Sequence, residues 1–309
     1  NGRGGDVGGV VGGQAVERRV DVVLGGGARY FTDQLLATRP DLRVVRTADE
    51  LRAAPAEGPL LGLFTRDHMS FEIDRAHPEP GAASTEPDLA AMTTAALDRL
   101  LRAGDGFVLQ IEGGRVDHAA HYNDAVSLVH DQLAFDRAID AVVKAVGGRD
   151  DTLAIITTDH ANANPGLTYY GQKGAQGFDL LLKGRASYDR VLAGLSGREG
   201  GTPAERAQTA SDRVRDLLGI EFTDRDRADL AGAFAGRPSP FDPGYEITST
   251  LGRLLGARTG VFFVSPNHTA DLVELTAFGP GSEEIAPLVD NTALHGLMLR
   301  AMGVEVAGR

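Results

Sequence analysis

The sequence predicts an α/β/α sandwich, with helices flanking a mostly parallel sheet, and three observations lead there. Short apolar, β-rich runs occur at 19–24, 107–111, 152–158 and 261–264, each stopping at Gly or at polar residues, as strands covered by other layers do. Longer stretches at 86–101 and 117–143 carry apolar residues at helical spacing. Three of the strand tips collect acids and imidazoles, and in open α/β sheets ligands gather at the carboxyl ends of the strands.

In chain order, residues 19–24 read as a strand that ends at glycines 25–27, and a short helix follows at 33–38. The Gly triplet lacks the full dinucleotide fingerprint, so it predicts a tight turn. A second helix starts near Thr47. Behind a Thr-Glu-Pro start signal, Leu89, Met92, Ala96, Leu97 and Leu100 define a helix over 86–101. Ala125, Leu128, Val129, Leu133, Ile139 and Val143 extend helical spacing over 117–143, which reads as one long amphipathic helix packed on the sheet.

Residues 166–260 differ in character, being rich in Gly, Arg, Asp and turn signals, with helical pieces at 204–218 and 247–255. They read as a peripheral insertion between the second and third of the acid- and imidazole-bearing strands, inside a single domain spanning 1–309. The first fourteen residues are dense in Gly and are expected to be flexible, with 5–14 a weak candidate for an earlier strand.

Composition bounds the function. A chain of 309 residues with 42% hydrophobic and 24% charged content can bury a sizeable core. The net charge of −12 disfavours nucleic acid and anionic membrane surfaces as partners. There is no Cys, so thiolate ligands and disulfides are excluded, and no apolar run reaches membrane-spanning length.

The chemistry is concentrated where strands end. The run GFVLQIEGGRVDHAAH at 106–121 empties into Glu112, Asp117, His118 and His121. Asp117 and His121 are four apart at the start of a helical pattern, so both project from one face. The run at 152–158 ends in Asp159 and His160, and the run at 261–264 leads through Ser-Pro-Asn to His268. Imidazole with carboxylate suits zinc, and carboxylate-rich oxygen sites suit magnesium. Taken singly, Glu112 reads as a loop carboxylate, Asp117 as a helix N-terminal residue and His268 as structural. Three such clusters together point to bound metal.

These motifs resemble those of the alkaline phosphatases, metal-dependent phosphomonoesterases with two zinc ions and one magnesium ion. The resemblance is carried by VDVVLGGGARYF (20–31), LLGLFTRDHMSFEIDR (60–75), EPDLAAMTTAAL (86–97), IEGGRVDHAAH, TTDHANA and NHTADLVELTAFGPG (267–281), in the family's order. It implies that Asp117, His121 and His268 hold the first zinc, that Asp159 and His160 contribute to the second, and that Glu112 contributes to the magnesium site. His118 is implied as an indirect contact to phosphate, and 166–260 as a crown near a homodimer interface. The resemblance further implies hydrolysis of phosphate monoesters through a phosphoserine, in an extracytoplasmic, periplasmic or secreted setting.

One departure stands out. The family's nucleophilic serine lies in an Asp-Ser-Ala-type segment ahead of the VDVVLGGG strand, and Ser70, Ser127, Ser187 and Ser265 all lack that setting. The expectation is therefore that the serine comes from an amino-terminal segment or a partner chain. The alternatives are a non-catalytic metal-binding or assembly subunit, or a related phosphodiesterase or sulfatase.

Overall fold

The computed structural model describes residues 7–104, 106–195, 201–237 and 247–304. It begins with α1 (Val7–Glu17), β1 (Val22–Gly25), α2 (Asp33–Ala37), β2 (Arg43–Val45), α3 (Ala48–Ala53) and β3 (Leu60–Leu63). The three strands form a parallel sheet in the order β1-β3-β2, with Val22 and Arg43 both opposite Leu60. After α4 (Glu72–Ala76) comes α5 (Leu89–Ala103). Leu24, Val45, Leu60 and Phe64 pack with Leu51 of α3 and with Leu89 and Met92 of α5. Val23 and Leu61 instead share a narrow gap with Val16 of α1 and with Phe31, so helices cover both faces of this sheet and the α/β expectation holds. α1 also makes residues 7–14 helical rather than a strand, and the expectation for residues 1–6 lies outside the described residues.

Thr47 and Asp88 accept the N-cap hydrogen bonds of α3 and α5 from Glu50 and Ala91. The N-cap of α5 is therefore Asp88, directly after the Thr-Glu-Pro signal, and the helix starts at Leu89 rather than 86. The Gly triplet makes the expected turn. Gly27 has φ +83, its N–H donates to the Asp67 carbonyl at 2.7 Å, and a Cβ on Gly26 would sit 2.1 Å from that same oxygen. Only a bare backbone lets the 65–69 loop lie this close.

The 117–143 stretch is two helices, α6 (Gly114–His121) and α7 (Ala125–Val146). Asn123 takes a left-handed φ of +53 between them, and Asp124 caps α7 by accepting from the Ser127 N–H at 3.0 Å and the Ser127 hydroxyl at 2.6 Å. Apolar spacing continues through the break because both helices bury the same side, so periodicity alone does not register it. Asp124 also accepts from the Tyr188 N–H at 2.8 Å. Complete burial pushes its carboxyl up to about 6 in spite of these donors.

The remaining strands pair antiparallel. β4 (Ala154–Ile156) pairs with β9 (Thr276–Phe278), β5 (Ala161–Asn162) with β8 (His268–Thr269), and β6 (Pro165–Leu167) with β7 (Val261–Phe263). Among the described residues, 107–111 joins no ladder, and Val108 is 67% exposed. Apolar composition marks a segment that suits a strand, but a ladder also needs the free edge of a neighbour. β6 leads into the insertion and β7 leads out of it. Between them, α8 (Gly171–Lys183), α9 (Tyr188–Val191), α10 (Pro203–Leu218), α11 (Asp224–Phe234) and α12 (Ile247–Thr259) follow in turn. Tyr188, Val214, Leu218, Leu230 and Leu251 form the centre of a separate buried cluster there. No helix among the described residues is long and apolar enough to cross a membrane.

Candidate metal centre

Three elements far apart in sequence deliver the predicted ligands to one place. α6 carries Asp117 and His121 on one face, the β4–β5 connection carries Asp159 and His160, and β8 starts at His268. Pairing of β5 with β8 sets Asn162 opposite His268 and so brings the second cluster alongside the third.

The approach of the first three ligands is close. His121 Nε2 lies 3.1 Å from His268 Nε2, His121 Nε2 lies 3.5 Å from Asp117 Oδ2, and His268 Nε2 lies 3.8 Å from Asp117 Oδ1. His160 joins the same group. Its ring stacks on that of His268 with centroids 3.5 Å apart, and ligand atoms of Asp117, His160 and His268 all fall within 4.8 Å of one another. The residues implied for two zinc positions thus form one compact cluster. Asp159 is the outlying member, with its side chain 84% exposed and 3.4 Å from His160 Nε2.

Outer contacts aim these ligands. His121 Nδ1 sits 2.6 Å from the Pro266 carbonyl, an acceptor that requires the proton on Nδ1 and leaves Nε2 free to ligate. His160 Nδ1 faces the Ala161 carbonyl at 3.3 Å in the same way. The Asn162 amide donates to Oδ1 and to the backbone carbonyl of Asp117, while its own Oδ1 is buried without a partner. Asn123 donates to the Ser265 carbonyl at 2.9 Å, which steadies the loop ahead of His268. Sequence reasoning missed Asn162 and Asn123. The one available signal was the Asn at 162 lying two residues after His160.

The donor set fits zinc, as one carboxylate and three imidazoles whose free nitrogens converge. Glu112 is exposed and lies outside the three-ligand group found among the described residues.

His118 follows Asp117 on α6 but is not one of the clustered ligands. Its Nδ1 lies 2.9 Å from Arg115 Nη1, and its ring meets His68 edge-on with centroids 4.6 Å apart. Burial, and then the Arg115 charge, pull its pKa below the ordinary value. Arg115 pairs with Asp189 at 3.2 Å, so it is a scaffold residue held by a carboxylate.

Known proteins resemble this chain. The sequence model of the alkaline phosphatase family matches residues 9–187. Alkaline phosphatase 4 of Bacillus subtilis is 26% identical over 93% of this chain and 58% of its own length. The streptomycin-6-phosphate phosphatase of Streptomyces griseus is 31% identical over 65% of this chain and 54% of its own. The crystal structure of Thermus thermophilus alkaline phosphatase superposes with a TM-score of 0.84 at 31% identity, over 97% of this chain and 66% of that one. The chain therefore spans between about half and two thirds of the length of these relatives. With the matched region covering more than half of the sequence and including the strand-end clusters of α6 and β5, the chain belongs to the alkaline phosphatase family.

Proposed function

We propose that this chain carries most of the metal site of a phosphomonoesterase, and that the nucleophile comes from polypeptide outside these residues. The observation that carries the reading is the convergence of Asp117, His121 and His268, with His160 stacked on His268 in the same cluster. Zinc bound there supplies a Lewis acid for a phosphoryl oxygen and a counter-charge for the leaving group. The chain's own residues do the rest. Pro266 and Ala161 fix the imidazole tautomers, Asn162 holds the Asp117 carboxylate, and His118 stands one layer out as a hydrogen-bonding group for phosphate.

The serines support an outside nucleophile. Ser70 donates to Glu86, Ser127 to Asp124, Ser187 to Asp74, and Ser265 to the Asn267 carbonyl. On this reading a phosphoserine forms on the supplied serine and is then hydrolysed. Asp159 and His160 belong to the second zinc, 166–260 is a crown-like insertion within one domain, and the assembled enzyme is an extracytoplasmic homodimer.

Zinc stoichiometry and p-nitrophenyl phosphate turnover test the reading together. His121→Ala and His268→Ala each lower bound zinc. The 309-residue chain alone shows little turnover, and added upstream polypeptide restores it. Unchanged zinc in both variants defeats the metal site, and robust turnover by the chain alone defeats the nucleophile assignment. Preference for a diester or a sulfate ester over the monoester replaces the substrate class.

A further inference from the structure

Asp189 of α9, in the insertion, reaches Arg115, two residues ahead of Asp117. The Asp189 Oδ2 accepts from Arg115 Nη2 at 3.2 Å, across 74 residues of sequence. The same guanidinium sits over the Phe71 ring, its Cζ 3.6 Å from the centroid, and directs Nη1 at His118 Nδ1, 2.9 Å away. Arg115 is thus held by an aromatic ring and by a carboxylate. Because Asp189 is about half exposed, the ion pair itself contributes little to stability. What it sets is geometry.

That geometry has a chemical consequence. A guanidinium has only donors, so His118 Nδ1 must accept, and a neutral imidazole that accepts on Nδ1 carries its proton on Nε2. With Nδ1 occupied by Arg115, the Nε2–H is the ring N–H left to act on a ligand. We propose that Arg115 and Asp189 are positioning residues that lock His118 as an Nε2–H donor to a non-bridging oxygen of a phosphoryl group held beside Asp117. The proposal deepens the phosphatase reading and rests on it. It makes Asp189, a residue of the insertion, a determinant of phosphate affinity without contact to phosphate.

Two measurements on the zinc-loaded 309-residue chain test it. Long-range nitrogen–proton NMR of labelled histidine reports which ring nitrogen of His118 is protonated, and calorimetry reports the affinity for inorganic phosphate. The expected result is a bare Nδ1 in the native chain. In Asp189→Asn and Arg115→Gln, the His118 signals move toward tautomer exchange, and phosphate binds about tenfold more weakly, the lower end for a charge-assisted hydrogen bond. Zinc content stays unchanged, and Arg115→Lys, which keeps a donor, recovers part of the affinity. A protonated Nδ1 in the native chain, or unchanged phosphate affinity in both variants, overturns the proposal alone. Failure of the native zinc-loaded chain to bind phosphate overturns the phosphatase reading together with the donor role.

Discussion

Asp131→Asn should stabilise the protein at pH 8 and do little at pH 4. Asp131 sits in α7 and is 7% exposed. Its carboxylate accepts from the Glu72 N–H at 3.2 Å, and among the described residues it forms no ion pair. Burial pushes its pKa from 3.8 up to about 7, with the Arg115 charge only partly opposing. Between those two values the native state binds the proton more tightly than the unfolded chain. Stability therefore falls as pH rises through that window, and the loss is complete above 7. At about 1.4 kcal/mol per pH unit, the ionised group costs the native state ~4 kcal/mol. Asparagine keeps an acceptor for Glu72 but loses the charge on it, which returns about 1 kcal/mol, so the net gain at pH 8 is ~3 kcal/mol. Urea unfolding of both proteins at pH 4, 6 and 8 measures it. A variant no more stable than the parent at pH 8, or one whose advantage does not grow between pH 4 and 8, refutes the assignment of a destabilising charge at this position.

Asn162→Ala removes both amide hydrogen bonds to Asp117 and should weaken zinc binding about 10- to 100-fold in a chelator competition; unchanged affinity would show that Asp117 needs no such support. Leu251→Ala empties a fully buried position in the insertion's core and should cost about 2–5 kcal/mol by denaturant unfolding, with a smaller loss pointing to a core that collapses around the gap. Gly26→Ala brings a methyl against the Asp67 carbonyl and should displace the 65–69 loop, read as a change in the His68 NMR signals; identical spectra would contradict the close approach.

Much of the site could be read from residue order, because each ligand sits at the end of an apolar run and strand ends converge in this class of fold. Asp117 and His121 were fixed by helical geometry alone, since α6 needs only its own spacing to place both on one face. His268 and His160 needed the β5–β8 pairing, an antiparallel ladder that neither segment announces. Asn162 and Asn123 were missed because an amide has the same local signature whether it bonds nothing or aims a carboxylate. The break between α6 and α7 hid behind unbroken apolar spacing, and the strand expected at 107–111 lacked the neighbour that composition cannot supply. Glu112 follows that unpaired segment and lies outside the group formed by Asp117, His160 and His268.

The side-by-side pairing of Pro165 with Phe263 and of Leu167 with Val261 means that the insertion leaves and rejoins the body through a closed neck. A neck of this kind decouples length from register. Residues can be added to or trimmed from the outer helices while the spacing between Asn162 and His268 stays as it is. Outer contours are then open to redesign except where they pack back on the body, at Leu181 of α8, at Tyr188 and Asp189 of α9 and at Gly252 of α12.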